Sequence, residues 1–177
     1  IDRLLLSADS VAAHDADAGG VVPRHVGGGI GKQLSNLVTM AHLELVALVV
    51  QDYDAAIRFF VDVLQFELVE DTPASTNDGR PKRWVVVRPV GGQTGILLAR
   101  ADGDRQMRSV GDQFAGRVGM FFRVDDYEST YQRMAAAGVQ FVSPPRDEAY
   151  GRVAVFLDLE GNKWDLLGRD PRGVTAT

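Results

Sequence analysis

The stretch RVAVFLDLEGNKWDLLGR, residues 152–169, decides the fold, because its layout already occurs once, at residues 83–100, as RWVVVRPVGGQTGILLAR. At one constant offset Arg83 pairs with Arg152, Gly92 with Gly161, Leu97 with Leu166 and Arg100 with Arg169. A second match lies upstream of each copy. VVQDYD (49–54) answers RVDDYE (123–128), pairing Asp52 with Asp126 and Tyr53 with Tyr127. Two matches in the same order mark an internal duplication.

Working outward, Leu43 to Val50 reads as a strand, and QDYDAAIRFFVDVLQF as a helix capped by Asp52, with Ile57, Phe60, Val61 and Leu64 on one face. Extended structure resumes from Phe66 to Glu70, TPASTNDGRPK (72–82) is a turn-rich loop, and residues 83–100 form two strands joined across Gly91 and Gly92. After the loop DGDRQMRSVGDQFAG (102–116) the order returns. It runs strand 117–124, helix 126–137 ended by Gly138, then strands 139–142, 152–159 and 163–168. Each half is βαβββ, with module one at 43–100 and module two at 117–169 inside a domain of residues 40–170.

Residues 1–39 are rich in glycine and small residues without a sustained period, which reads as a flexible leader. Met40 is an alternative start, which would leave the leader outside the native protein; residues 171–177 are a tail. The leader's GGGIGKQ is not a phosphate-binding loop, since Val26 stands where the first glycine belongs and Gln33 where the metal-binding hydroxyl belongs.

The chain of 177 residues is long enough for one core, and 45% hydrophobic with 24% charged residues is the balance of a globular domain. A net charge of −5 argues against a nucleic-acid surface, which needs clustered Lys and Arg. Without cysteine there is no disulfide framework and no thiolate chemistry. The apolar run from Leu45 to Val50 is too short for a membrane span, and IDRLLLSADS lacks the layout of a secretory signal, so the cytoplasm is the default address.

Through VVQDYDAAIRFFVDVLQFELVE and VAVFLDLEGNKWDLLGR, residues 43–169 resemble the glyoxalase, bleomycin-resistance and extradiol-dioxygenase superfamily, also called vicinal oxygen chelate (VOC). The resemblance implies an α+β fold in which two tandem βαβββ modules form one curled, eight-stranded cup. It implies a frequent two-fold homodimer. In the family's enzymes a divalent metal is held by four positions, early on the first strand and on the last strand of each module, usually His and Glu. Carried onto this chain those positions are Leu45, Ile96, Gly119 and Asp165.

Three of the four have no donor atom in the side chain, so neither a metal nor another cofactor is expected. The histidines, His14, His25 and His42, all precede the first strand, and a displaced site on His42 and Glu44 is the remaining option. With Gly119 in place of a bulky ligand and Leu45, Ala47 and Ile96 nearby, the cup floor is expected to be roomy and apolar. Alternation groups Gly119, Phe121 and Arg123 on one strand face, and Lys163, Asp165 and Leu167 on another.

Asp165 has two readings: a structural acid paired with Arg123 or Lys163, which the cost of burying a lone charge favours, or a ligand anchor or general base. Phe121, Phe156, Trp84, Trp164 and Tyr150 are the aromatic candidates, some for the core and some for the cavity. The loop SPPRDEAYG (143–151) offers Arg146, Asp147, Glu148 and Tyr150 either as a rim or as solvated charge. The resulting expectation is a metal-free protein that binds an amphipathic or cationic small molecule through Leu45, Ala47, Ile96, Gly119, Phe121, Arg123, Tyr150 and Asp165. The alternative is a glyoxalase-like lyase or isomerase with Asp165 as the catalytic base. A ring-cleaving dioxygenase comes third, because its iron lacks donors.

Overall fold

The computed structural model describes residues 41–170; the expected leader and tail fall outside them. The strands are β1 (Leu45–Val50), β2 (Phe66–Ser75), β3 (Pro81–Pro89), β4 (Gly95–Arg100), β5 (Val118–Arg123), β6 (Arg146–Glu148), β7 (Gly151–Leu157) and β8 (Lys163–Leu167). The α-helices are α1 (Tyr53–Arg58), α2 (Asp104–Met107) and α3 (Tyr127–Ala136). The strands form two four-stranded mixed sheets, in the orders β1-β4-β3-β2 and β5-β8-β7-β6, so each module is a sheet of its own and no closed barrel forms. In both, the first strand lies parallel to the last, which returns antiparallel to the third.

The duplicated VVQDYD and RVDDYE build the same helix start twice. Asp52 accepts a hydrogen bond from Ala55 N at 2.8 Å, and Asp126 accepts one from Ser129 N at 3.0 Å, satisfying helix donors that have no partner within the helix. Tyr53 and Tyr127 open their helices buried, and Arg83 and Arg152 lie over their rings at 5.2 and 5.8 Å. After α1 the chain widens into a π-helical turn, Phe59–Val63, closed by Leu64 N donating to Phe59 O at 3.1 Å. That turn sends Phe60 into the core shared by both modules, where its ring lies 5.6 Å from Phe66 and 5.8 Å from Trp164.

The second module departs from the expected order at one strand. Residues 139–142 are not a ladder strand: Phe141 alone bridges Phe156, flanked by hydrogen bonds from Val142 N to Val155 O and from Leu157 N to Gln140 O. Pro144 and Pro145 have no N–H to continue the pairing, so it stops there and restarts as β6 inside the segment read as a loop. Ser143 fills the gap, its Oγ accepting from Val155 N at 3.0 Å. In the first module β2 and β3 extend well into the segment read as a turn-rich loop, leaving residues 76–80 as the turn.

The outer edge of β1 is covered by a side chain. Gln113, in the segment joining the modules, accepts from Val49 N and donates to Ala47 O, both at 2.8 Å, as a neighbouring strand would. Its own N–H donates to Asn162 Oδ1 at 3.0 Å, and Glu160 accepts from Gln51 N, so the same seam ties module one to the β7–β8 turn.

Candidate functional site

Each sheet has one face packed on the helices and one free of them. On the helix side of sheet two lie Ala154, Phe156, Trp164 and Leu166, all in the main core. The opposite face follows from the register. Asp165 pairs with Phe121 and Val155, Leu167 with Arg123 and Val153, and Val153 with Arg146, so these side chains share the helix-free face. Val153 and Leu167 are buried there outside the main core and form its floor. Phe121 stands 65% exposed beside Asp165, which is 7% exposed.

The expected partners of Asp165 are engaged elsewhere. Arg123 donates to the carbonyls of Gly168 and Tyr150, and Lys163 donates to Gly116 O at 2.9 Å. Asp165 Oδ1 is buried without a hydrogen-bond partner among the described residues. Burial holds this carboxyl above its ordinary range; the charge of Arg146 acts in the opposite direction. The reading of Asp165 as an acid paired with Arg123 or Lys163 is therefore corrected: both cations satisfy backbone carbonyls, and Oδ1 lies buried at the helix-free face without a hydrogen-bond partner among the described residues.

Two other expectations change. Leu45 and Ala47 lie on the helix-free face of sheet one, but Ile96 pairs with Val46 and packs in the core with Leu48 and Leu98. The residue of β4 that occupies the place of Asp165 is Leu97. Val85 and Val87 correspond to Ala154 and Phe156 at the offset read from the sequence, whereas Leu98 and Ile96 correspond to Leu166 and Trp164, one residue out of step. The second hairpin turn is one residue shorter, and a one-residue slip turns every side chain to the other face. Gly119, in turn, leaves no space. It sits at a bulge in β5, and a Cβ there would come within 2.1 Å of the Phe114 ring, which fills the volume the glycine vacates. Gly119→Ala is expected to displace that ring and cost about 1–3 kcal/mol of stability, read by denaturant titration.

The corrected metal positions, Leu45, Leu97, Gly119 and Asp165, still offer one carboxylate and three side chains without donors. Among the described residues no group of three or more His, Asp or Glu converges, and the donor set does not fit a divalent ion. Cavities of about 390 and 300 Å³ lie away from Asp165, one between the π-helical turn and the β7–β8 turn, the other beside Phe114 and Asn162. On its face Asp165 lies buried with Val153 and Leu167, while Phe121, Arg146, Glu148 and Tyr150 stand exposed around them. Arg146 and Glu148, which the sequence leaves as either rim or loop charge, belong to β6 and pair at 2.9 Å. Gln113 carries no local sequence signal that marks it for its place on the β1 edge.

Two βαβββ modules with a lone buried acid on a helix-free sheet face define a chain of the glyoxalase and bleomycin-resistance class. The family described as Glyoxalase/Bleomycin resistance protein/Dioxygenase superfamily matches residues 40–166, and the chain belongs to it. A protein of Shewanella frigidimarina (strain NCIMB 400) is 50% identical over 123 residues, covering 69% of this chain and 89% of its own. The crystal structure of UcmS2 is similar with a TM-score of 0.60 and 28% identity, covering 72% of this chain and 98% of that one. TnmS3, an antibiotic binding protein from Streptomyces sp. CB03234, is similar with a TM-score of 0.58 and 28% identity, covering 75% and 98%. Among the described residues no helix is long and apolar enough to cross a membrane.

Proposed function

We propose that this protein captures a small amphipathic molecule bearing a cationic donor, without a metal, on the face that carries Asp165 and Phe121. The observation that carries this reading is the buried Asp165 Oδ1, which has no hydrogen-bond partner among the described residues. An unpaired buried acceptor costs about 1–3 kcal/mol, and a ligand donor would recover that cost where protein side chains do not. Phe121 supplies an exposed aromatic surface one strand away. Similarity to an antibiotic binding protein supports binding rather than turnover.

The test is a thermal-shift screen of small molecules and divalent metals, with metal analysis of the purified protein. Amphipathic amines should raise the melting temperature, while metals and chelator leave it unchanged. One tightly bound ion per chain, lost to chelator with a fall in melting temperature, would overturn the metal-free reading. The two sheets end in edge strands, β2 in one and β6 in the other, and we also propose that a second copy covers such edges in a two-fold dimer. Light scattering at micromolar concentration should give twice the chain mass, and a monomer would contradict this.

A buried acid raised above its ordinary range is also the form a general base takes, which keeps a lyase or isomerase as the second reading. In that case Asp165→Asn would lower turnover by about 10²–10⁴ while binding persists.

A further inference from the structure

Resting on the capture reading, we propose that the ligand is a zwitterion: its cationic group is held by Asp165 and its anionic group by Arg146. The register places both residues on the helix-free face of sheet two, Arg146 on β6 and Asp165 on β8, with β7 between them. Arg146 lies across Val153 from Leu167, two residues along β8 from Asp165, so two strand spacings and two residues of rise separate their backbones by roughly 12 Å. The arginine side chain shortens that gap: Nη1 reaches Ser143 Oγ at 3.5 Å, and Ser143 Oγ accepts from Val155 N, the β7 residue paired with Asp165. An amino acid group or a similarly short zwitterion suits two charges brought together in this way.

Of the basic side chains flanking Asp165, Arg146 is the one whose charge acts on the carboxyl, and it is not tied to a backbone carbonyl. Arg123 is bound to the carbonyls of Tyr150 and Gly168, and Lys163 to Gly116 O. Arg146 donates Nε to Glu148 at 2.9 Å and reaches Ser143 Oγ with Nη1 at 3.5 Å, so part of a five-donor guanidinium stays available on a side chain 44% exposed. Glu148 holds the guanidinium on β6 instead of letting it swing across to close a pair with Asp165. A simple cation would find Asp165 but meet the Arg146 charge, and a simple anion would meet Asp165. A zwitterion satisfies both, with Phe121 under its apolar part.

The experiment is an NMR titration of the full chain near neutral pH with three molecules that share one phenyl body: phenylalanine, 2-phenylethylamine and 3-phenylpropanoate. Phenylalanine should bind about tenfold more tightly than either of the others, the equivalent of one modest charge-assisted contact. Arg146→Gln should remove its advantage over 2-phenylethylamine, whereas Arg146→Lys should retain most of it. Equal binding of phenylalanine and 2-phenylethylamine would overturn the zwitterion inference and leave cation capture standing. Persistence of the preference in Arg146→Gln would overturn the role of Arg146. Failure of all three to bind would overturn the inference, while the capture reading is decided separately by the thermal-shift screen.

Discussion

Phe60→Ala is expected to lower stability by about 3–5 kcal/mol, because it empties the centre of the core. Phe60 is 1% exposed, and its ring touches three others: Phe59 at 5.5 Å, Phe66 at 5.6 Å and Trp164 at 5.8 Å. Phe66 belongs to module one and Trp164 to module two, so truncation opens a void where the modules share their core. Strands on either side cannot close that void without moving, which adds a cavity cost to the lost burial. Denaturant unfolding should show the fall as a shifted midpoint. A loss below about 1 kcal/mol would mean that the modules do not share this core.

Asp165→Asn is expected to have the opposite sign. Replacing a buried carboxylate whose Oδ1 has no hydrogen-bond partner among the described residues removes the penalty of keeping a charge from water, and near neutral pH the variant should gain about 1–2 kcal/mol. The pH dependence checks the cause. Because the folded-state pKa lies above the unfolded one, the fold holds this proton where the unfolded chain has released it. Stability from this group is therefore greatest below the unfolded pKa and is lost as pH rises through the folded pKa. Asp71 and Asp102 are held low by Arg83 and Arg80 and give the reverse slope, so the quantity to follow is wild type minus variant. That difference should become more unfavourable to wild type as pH rises. A destabilised Asn variant would mean that Asp165 has a structural partner after all.

The duplication was legible because local chemistry repeats: an Asp cap, a buried Tyr and an Arg over its ring recur in both modules. The acid at 165 was legible as an oddity for the same reason, a charge among apolar neighbours. The rest depended on geometry. Matching Leu97 to Leu166 by letter hid the shorter turn; matching bulky Ile96 to bulky Trp164 would have exposed the slip and put Leu97 in place of Ile96. Gly119 signalled space, but the ring that fills it comes from Phe114 in the joining segment, and no pattern within β5 announces that. The pairing of Arg123 and Lys163 with backbone carbonyls was equally out of reach, since carbonyl positions depend on where strands end.

The central claim is that the unpaired Oδ1 acceptor of Asp165 is satisfied by a ligand. Its most direct test is the affinity of wild type and Asp165→Asn for one amphipathic amine taken from the thermal-shift screen, measured by titration calorimetry near neutral pH. The account predicts that the variant, at least as stable as wild type, binds roughly 10- to 100-fold more weakly, the scale of a lost charge-assisted hydrogen bond. Unchanged affinity in the folded variant would contradict it.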